Sequence, residues 1–374
     1  YRYPFIYMAG NEKFRAFSQQ QLQRLRDYLN YGGFILIDDN SAKANSEFDI
    51  KRPTMIGDTA DNSLQKTVQI LRGEGINPVV VMEFSPSSKG VLCGLNEVKS
   101  LLEKILPETG SEVWAVEEGS LIEPKEVVLR VKSPYGSIGL YETAITGIFA
   151  SSTGWATAAK QCVDEANGTP VYSIGARSVH PNISATMDYA SIIGGCVSCS
   201  TILGARISGV TPIAIMSHPL SLIMGDTVRA IQAFDKHTPQ DVPRIALVDT
   251  HRDEGEEAIA TARALKDRLR GIRIDTAAER GGVTINLVKE IRARLDLAGF
   301  QHVDISISGG LTPEKIKGFV ESKSQIQSFG VGSYIASTGS NPFNADIHEI
   351  DGRPVARRGR IPGITQNTRL DRII

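Results

Sequence analysis

The chain has 374 residues, 41% hydrophobic and 22% charged, the profile of a soluble globular protein with enough apolar residues for two cores. Forty-one Lys and Arg against forty-two Asp and Glu leave a formal charge of −1, so bulk electrostatics point away from nucleic acid as a partner. Four Cys are too few for a disulfide scaffold, and no apolar run approaches the roughly 20 residues of a membrane-spanning helix, so no membrane partner and a reducing, cytoplasmic setting are expected.

The N-terminal residues lack the basic region, apolar core and cleavage site of a signal peptide, and 3–9 is expected as a strand. Ser18 is placed to cap a helix carrying Leu22, Leu25 and Leu29, and after Gly32 and Gly33 the run 34–38 is a second strand, giving a β-α-β appendage over 1–50. The stretch 40–53 is polar without an apolar period and is expected as a linker or loop at a domain boundary. From Met55 a helix carries Leu64, Val68 and Leu71; the run 78–84 follows, then a helix over 95–105 and strands over 112–116 and 127–131. The Ala- and Thr-rich stretch 138–166 contains no Pro and is expected to be helical, leading into a second domain.

That second domain, 151–341, has a rhythm. Short apolar runs at 171–175, 212–216, 244–249, 272–275, 303–308 and 327–331 alternate with helical stretches such as 256–269 and 285–298. The spacing implies parallel strands with crossover helices, and six of them point to an α/β barrel; an open doubly wound sheet is the alternative, although no GxGxxG opens its first turn. Strand character returns at 345–349 and 354–356 around Asp351-Gly352, a hairpin signal, and the tail 342–374 is expected to complete the α/β domain of 55–150.

Polar residues gather just past these runs: Arg177 and His180, His218, Asp249 and Thr250, Asp275 and Thr276, Ser308-Gly309-Gly310, and Gly330-Val331-Gly332. The C-terminal ends of barrel strands share one face, so these residues are expected to converge, although any single Asp or Thr could equally be a helix cap. Glycines after the last two strands let backbone N–H groups approach an oxyanion, which makes a phosphate cradle; tight turns needing positive φ are the plainer reading. No GxxxxGK(S/T) is present, so this is not a P-loop. Cys196 and Cys199 form a lone CxxC in a stretch, 192–203, that reads as a helix of small residues, and they are expected as buried thiols. His237, His302 and His348 are expected on the surface, and Arg357, Arg358 and Arg360 as a solvated basic run.

Over about 56–363 the chain resembles nicotinate phosphoribosyltransferases of the short archaeal and bacterial form, on the type II phosphoribosyltransferase fold. The resemblance is carried by Gly57-Asp58-Thr59-Ala60-Asp61, Leu140-Tyr141-Glu142-Thr143, Gly154-Trp155-Ala156-Thr157, Ile174-Gly175-Ala176-Arg177 with His180-Pro181, and Ser217-His218-Pro219-Leu220 with Gly225-Asp226. It continues through Val248-Asp249-Thr250, Arg273-Ile274-Asp275-Thr276, Arg280-Gly281, Ser308-Gly309-Gly310 and Phe329-Gly330-Val331-Gly332. It implies an α/β barrel plus an α/β sandwich built from N- and C-terminal segments, and a homodimer or higher homo-oligomer with shared active sites. The implied reaction joins nicotinate to phosphoribosyl pyrophosphate, releasing pyrophosphate and giving nicotinate mononucleotide for NAD synthesis. Mg²⁺ would be held mainly through phosphoribosyl pyrophosphate, with no side chain singled out as its ligand, and ATP would be a co-substrate of an enzyme now classed as a ligase.

The same resemblance makes His218, Asp249 and Asp275 the catalytic candidates, with His218 either transiently phosphorylated or bonded to substrate phosphate. Arg177, His180, Thr157, Lys160, Thr250 and Thr276 become candidates for substrate binding, and Ser308, Gly309, Gly310, Gly330, Val331 and Gly332 for the ribose phosphate. Arg177 suits the nicotinate carboxylate or the pyrophosphate because a planar guanidinium pairs with either in a bidentate way. Three departures stand out. Asp61-Asn62-Ser63-Leu64 lacks the expected stacking aromatic, Ser178 replaces a frequent second basic residue, and no Cys follows Cys199, so no structural zinc is expected. Two alternatives are a decarboxylating quinolinate phosphoribosyltransferase, which needs more positive charge, and a catalytically silent nucleotide-binding or assembly protein. The first fifty residues resemble half of an amidotransferase-like or flavodoxin-like domain.

Overall fold

A computed structural model describes residues 5–10, 23–24, 34–39 and 48–374. The chain forms two units, Tyr1–Ser46 and Glu47–Ile374. In the smaller one, β1 (Phe5–Gly10) pairs in parallel with β2 (Phe34–Asp39), from Phe5 opposite Phe34 to Gly10 opposite Asp39. Residues 23–24 are helical, and Ser18, Leu22, Leu25 and Leu29, expected on that helix, lie outside the described residues.

In the larger unit a helical turn at Arg52–Met55 leads to α1 (Asn62–Gly73), β3 (Val79–Pro86), β4 (Gly90–Val91), α2 (Leu95–Ile105), β5 (Glu112–Ala115), β6 (Leu121–Ile122), β7 (Leu129–Pro134) and the long α3 (Glu142–Glu165). Next come β8 (Val171–Ser173), α4 (Ser184–Ile193), β9 (Ser198–Cys199), α5 (Ile202–Ser208), α6 (His218–Met224) and α7 (Thr227–His237). The chain then alternates through β10 (Arg244–Leu247), α8 (Glu254–Leu265), β11 (Leu269–Ile274), α9 (Ile285–Leu297), β12 (Asp304–Ile307), α10 (Pro313–Glu321) and β13 (Ser328–Val331), and closes with β14 (Phe343–Ile350), β15 (Arg353–Pro354) and β16 (Asp371–Arg372).

Two six-stranded sheets result. One, ordered β10-β11-β12-β13-β8-β9, is wholly parallel, as crossover helices require. It curls into a half-barrel whose edges, β10 and β9, do not pair with each other. The other, ordered β15-β14-β3-β7-β5-β16, is antiparallel, and its C-terminal strands pair with β3 and β5 as the hairpin signal and tail suggested. Asp351 and Gly352 take positive φ, 49° and 75°, at that hairpin. The helix α3 joins the two layers: it packs on β14 and on α4 and α10. Its buried Phe149 stacks on Phe343 of β14, with centroids 5.1 Å apart and planes 18° off parallel. Among the described residues no helix is long and apolar enough to cross a membrane.

Residues 48–50 are loop just past the unit boundary, but Phe48 and Ile50 in it are buried, and the Phe48 ring meets Tyr189 edge-on at 5.0 Å. Three local expectations are corrected. The run 212–216 is not a strand; Pro212 has no N–H to give a ladder, only Ile213 N–H reaches the sheet, at Cys199 O, and the segment lies against the concave face instead. The stretch 192–203 is not one helix, because α4 ends at Gly194-Gly195, where a side chain on Gly194 would stand 2.3 Å from Ala156 O, and Cys199 then enters β9. His348 is no surface residue: it sits between Gly363 O at 2.7 Å and the buried Glu83 carboxylate at 3.6 Å.

Candidate active site

Each central strand of the half-barrel is apolar on its convex face and ends in a polar step. Leu247 and Val248 lead to Asp249-Thr250, Ile274 to Asp275-Thr276, and Ile307 to Ser308-Gly309-Gly310, while β13 supplies Gly330 and Val331. Because the strands are parallel and in close register, these steps arrive together on one rim.

His218 opens α6, where Pro219 fixes the first turn. Its Nε2 lies 3.6 Å from Asp249 Oδ2 and 3.5 Å from Asp275 Oδ2, and its Nδ1 lies 3.2 Å from Thr250 Oγ1. Contact with Asp275 raises the imidazole pKa above its ordinary value, against the opposing effect of burial. Burial pushes the Asp249 carboxyl up to about 6. Burial acts upward on Asp275 as well, but His218 and the nearby Arg273 hold it below the usual carboxylate range. The two carboxylates that face His218 are thus pushed in opposite senses, Asp249 up by burial and Asp275 down by its charged neighbours.

Arg273 lies in β11 with its side chain on the concave face. Its Nη2 donates to Met216 O at 3.0 Å, and among the described residues it makes no ion pair within 4.0 Å. Burial lowers its pKa while the Asp275 and Asp249 charges act the other way. A cavity of about 390 Å³ runs along this face, lined by Tyr172, Ile174, Ile215, Ile245, Arg273 and Gly330 among others. Beyond the end of β12 Gly309 takes φ +91°, and a Cβ there would stand 2.9 Å from Asp275 Oδ1. Only glycine satisfies both demands. Gly330 is different: its backbone is not left-handed, but a side chain would come 3.1 Å from Ser308 Cβ.

The structure brings together His218, Asp249, Thr250, Asp275, Ser308, Gly309 and Gly330. Thr276 Oγ1 donates to Glu254 Oε1 at 2.9 Å, and Gly310 O accepts from Lys315 Nζ at 2.8 Å. Val331 is buried and Gly332 follows it at the end of β13. Arg177 is exposed on the turn Ala176–Ser178, near enough to Arg273 to lower its pKa. His180, also exposed, accepts from Asn182 N at 3.2 Å through Nδ1. Thr157 and Lys160 are engaged within the fold: Thr157 Oγ1 donates to Thr153 O of α3 at 2.6 Å and accepts from Val91 N of β4 at 3.0 Å, and Lys160 pairs with Asp164. Sequence reasoning missed Arg273 as a candidate, although its place in strand β11, two residues before Asp275 and so on the same face, was its signal.

Residues 63–153 match the quinolinate phosphoribosyl transferase N-terminal domain and residues 155–343 its C-terminal domain. The chain belongs to the quinolinate phosphoribosyl transferase family. Residues 1–72 match a domain of unknown function, DUF4159. This family member is 37% identical to the crystal structure of nicotinate-nucleotide pyrophosphorylase from Pyrococcus furiosus, with a TM-score of 0.79 over 87% of this chain and 85% of that one. Human nicotinic acid phosphoribosyltransferase shares the fold, with a TM-score of 0.66 at 18% identity over 81% of this chain and 77% of its own. The nicotinate phosphoribosyltransferase pncB2 of Mycobacterium tuberculosis is 30% identical over 265 residues, 68% of this chain and 56% of that protein. That of Bacillus subtilis is 25% identical over 63% of this chain and 48% of its own. The chain thus spans about half the length of these nicotinate relatives. The fold is that of type II phosphoribosyltransferases, related to both the nicotinate and the quinolinate enzymes.

Proposed function

We propose that this chain transfers the phosphoribosyl group of phosphoribosyl pyrophosphate to the ring nitrogen of a pyridine carboxylic acid, giving a pyridine mononucleotide and pyrophosphate for NAD synthesis. The observation that carries this reading is Arg273: a largely buried guanidinium at the cavity end, bonded to one carbonyl, facing the rim where the carboxylates and glycines meet. A cation whose guanidinium donates to one carbonyl and is within reach of the Asp275 and Asp249 charges without a direct ion pair has donors to spare for an anionic group on the ligand. The amides of Ser308-Gly309-Gly310 would receive the ribose phosphate. The ring nitrogen would attack the anomeric carbon as its bond to pyrophosphate breaks, and Asp249 and Asp275 would face the positive charge that develops on the ribose.

Mg²⁺ fits the donor set. Asp249 Oδ1 is buried with no hydrogen-bond partner, beside the Asp275 carboxylate, and such a pair suits an ion brought in on substrate phosphates. When bound, the ion supplies charge neutralisation for the departing pyrophosphate. Among the described residues no group of three or more His, Cys, Asp or Glu is placed to hold a metal unaided.

Quinolinate stands ahead of nicotinate as the acceptor. Family matches on both halves of the chain bear its name, and Arg273 with Arg177 supplies the second cation whose lack counted against it. With quinolinate, the ring carboxylate beside the nitrogen departs as carbon dioxide and a proton takes its place. Nicotinate is the second reading, favoured by the relatives in M. tuberculosis and B. subtilis. The test is mononucleotide formation from phosphoribosyl pyrophosphate and Mg²⁺ with quinolinate, nicotinate and nicotinamide in parallel, each with and without ATP. Product and carbon dioxide from quinolinate are expected. Product from nicotinate alone, stimulated by ATP, moves the assignment to the ATP-coupled enzyme, and binding without turnover of any acceptor overturns the transferase reading in favour of a silent binding protein.

A further inference from the structure

The first turn of α8 carries two buried carboxylates that make no hydrogen bond or ion pair with His218, Asp249 or Asp275 but hold the threonines beside them. Glu254 and Glu257 are 1% and 3% exposed, and three positions apart they share a helix face. Glu257 Oε1 accepts from His251 N at 2.9 Å and Arg252 N at 3.0 Å, and its Oε2 accepts from Thr250 N at 3.4 Å. Glu254 Oε1 accepts from Thr276 Oγ1 at 2.9 Å, and its Oε2 lies 3.4 Å from Arg280 Nη2. One helix turn therefore holds the loop that follows β10 and the loop that follows β11. Burial of two anions there is offset by the three amides, the Arg280 charge and the positive end of the helix.

The loop held by Glu257 is the one that orients His218. Thr250 presents Oγ1 to His218 Nδ1 at 3.2 Å, and His251 Nε2 reaches Ser221 O of α6 at 3.0 Å, tying the loop to the helix that carries His218. When Nδ1 accepts from the Thr250 hydroxyl, the neutral ring carries its proton on Nε2, the nitrogen that faces the Asp249 and Asp275 carboxylates.

We propose that Glu257 and Glu254 are positioning residues: Glu257 fixes the loop that sets the orientation and tautomer of His218, and Glu254 fixes Thr276 beside Asp275. The inference rests on the proposed transfer reaction for its kinetic arm alone. The test uses Glu257→Gln, which keeps the volume but turns an amide toward three N–H donors, and Glu257→Asp, which keeps the charge but shortens the reach. Ring ¹⁵N shifts of His218 at alkaline pH report its tautomer whatever the chain catalyses. Both variants should unfold cooperatively and shift the neutral ring toward the Nδ1–H form. Thr250→Val should give the same shift, and Thr250→Ser should restore the parent spectrum. In the transferase assay kcat should fall about 10- to 100-fold, while KM for the pyridine acid stays within about twofold. Glu254→Gln should lower kcat likewise and leave the His218 ring signals in place. Unaltered His218 signals in folded Glu257 variants overturn the proposal. Loss of cooperative unfolding in both Glu257 variants also overturns it, since the carboxylate is then a folding requirement. A shifted tautomer without any turnover in the parent chain upholds the positioning role and discards the reaction.

Discussion

Arg273 and Asp249 show what burial does to single charges. Burial disfavours the charged form of Arg273, and the nearby Asp275 and Asp249 charges offset it while leaving the guanidinium with one hydrogen-bonded carbonyl. Replacing Arg273 by Lys keeps the charge and removes the planar fork, so KM for the pyridine acid should rise about 10- to 100-fold, the size of one or two charge-assisted hydrogen bonds. An unchanged KM, with weaker binding of phosphoribosyl pyrophosphate, would place Arg273 at the pyrophosphate. Asp249 makes the converse case. Burial holds its pKa at about 6, above the 3.8 of a free carboxyl, so the folded state binds the extra proton and loses stability as pH rises through that interval. Asp249→Asn should therefore raise Tm by about 2–4 °C at pH 8 in EDTA and leave it unchanged near pH 4, where both chains are neutral at this position. The polar step after each strand exposed Asp249, Asp275 and His218 to sequence reasoning. Arg273, Glu254 and Glu257 stayed hidden because their importance lies in what they face, which no local pattern records.

Among the elements, the rim turns carry their own demands. Gly309→Ala forces a side chain into left-handed backbone and against Asp275 Oδ1, so denaturant unfolding should show a loss of about 1–3 kcal/mol, and calorimetry should show weaker binding of inorganic phosphate. The contact of α3 with the C-terminal strand is a matter of packing instead: Phe149→Ala should cost about 3–5 kcal/mol, because the ring is fully buried and stacked on Phe343. Helices with a clear period were legible almost to the residue, as Leu95–Ile105 and Ile285–Leu297 show. Short apolar runs were not. Pro212 to Met216 has the composition of a strand, but Pro212 has no N–H and only Ile213 N–H bonds to the β9 edge, so the segment lines the cavity instead. Ser198–Cys199 became the edge strand in its place, a choice made by the close approach of Gly194 to α3.

For the whole molecule, the unit boundary predicts where the chain can be cut. A chain beginning at Glu47 should keep the cooperative unfolding of the parent, since Glu47–Ile374 is a unit by its own contacts. One beginning at Arg52 loses buried Phe48 and Ile50 and should be less stable by at least about 3 kcal/mol in the same titration. The alternation of strands and helices made the parallel layer legible, and Asp351-Gly352 announced the closing hairpin, but the polar stretch before Pro53 concealed the two apolar anchors within it. The pairing of β14 with β3 also sets a schedule for synthesis. Val79 N–H waits for Asp351 Oδ1 across 272 positions, so at about 5–20 residues per second the β3 edge stays open for tens of seconds behind the ribosome. During that interval a strand as apolar as Val79–Pro86 is a template for any passing chain, and the nascent protein is a natural client of whatever shields unpaired strands.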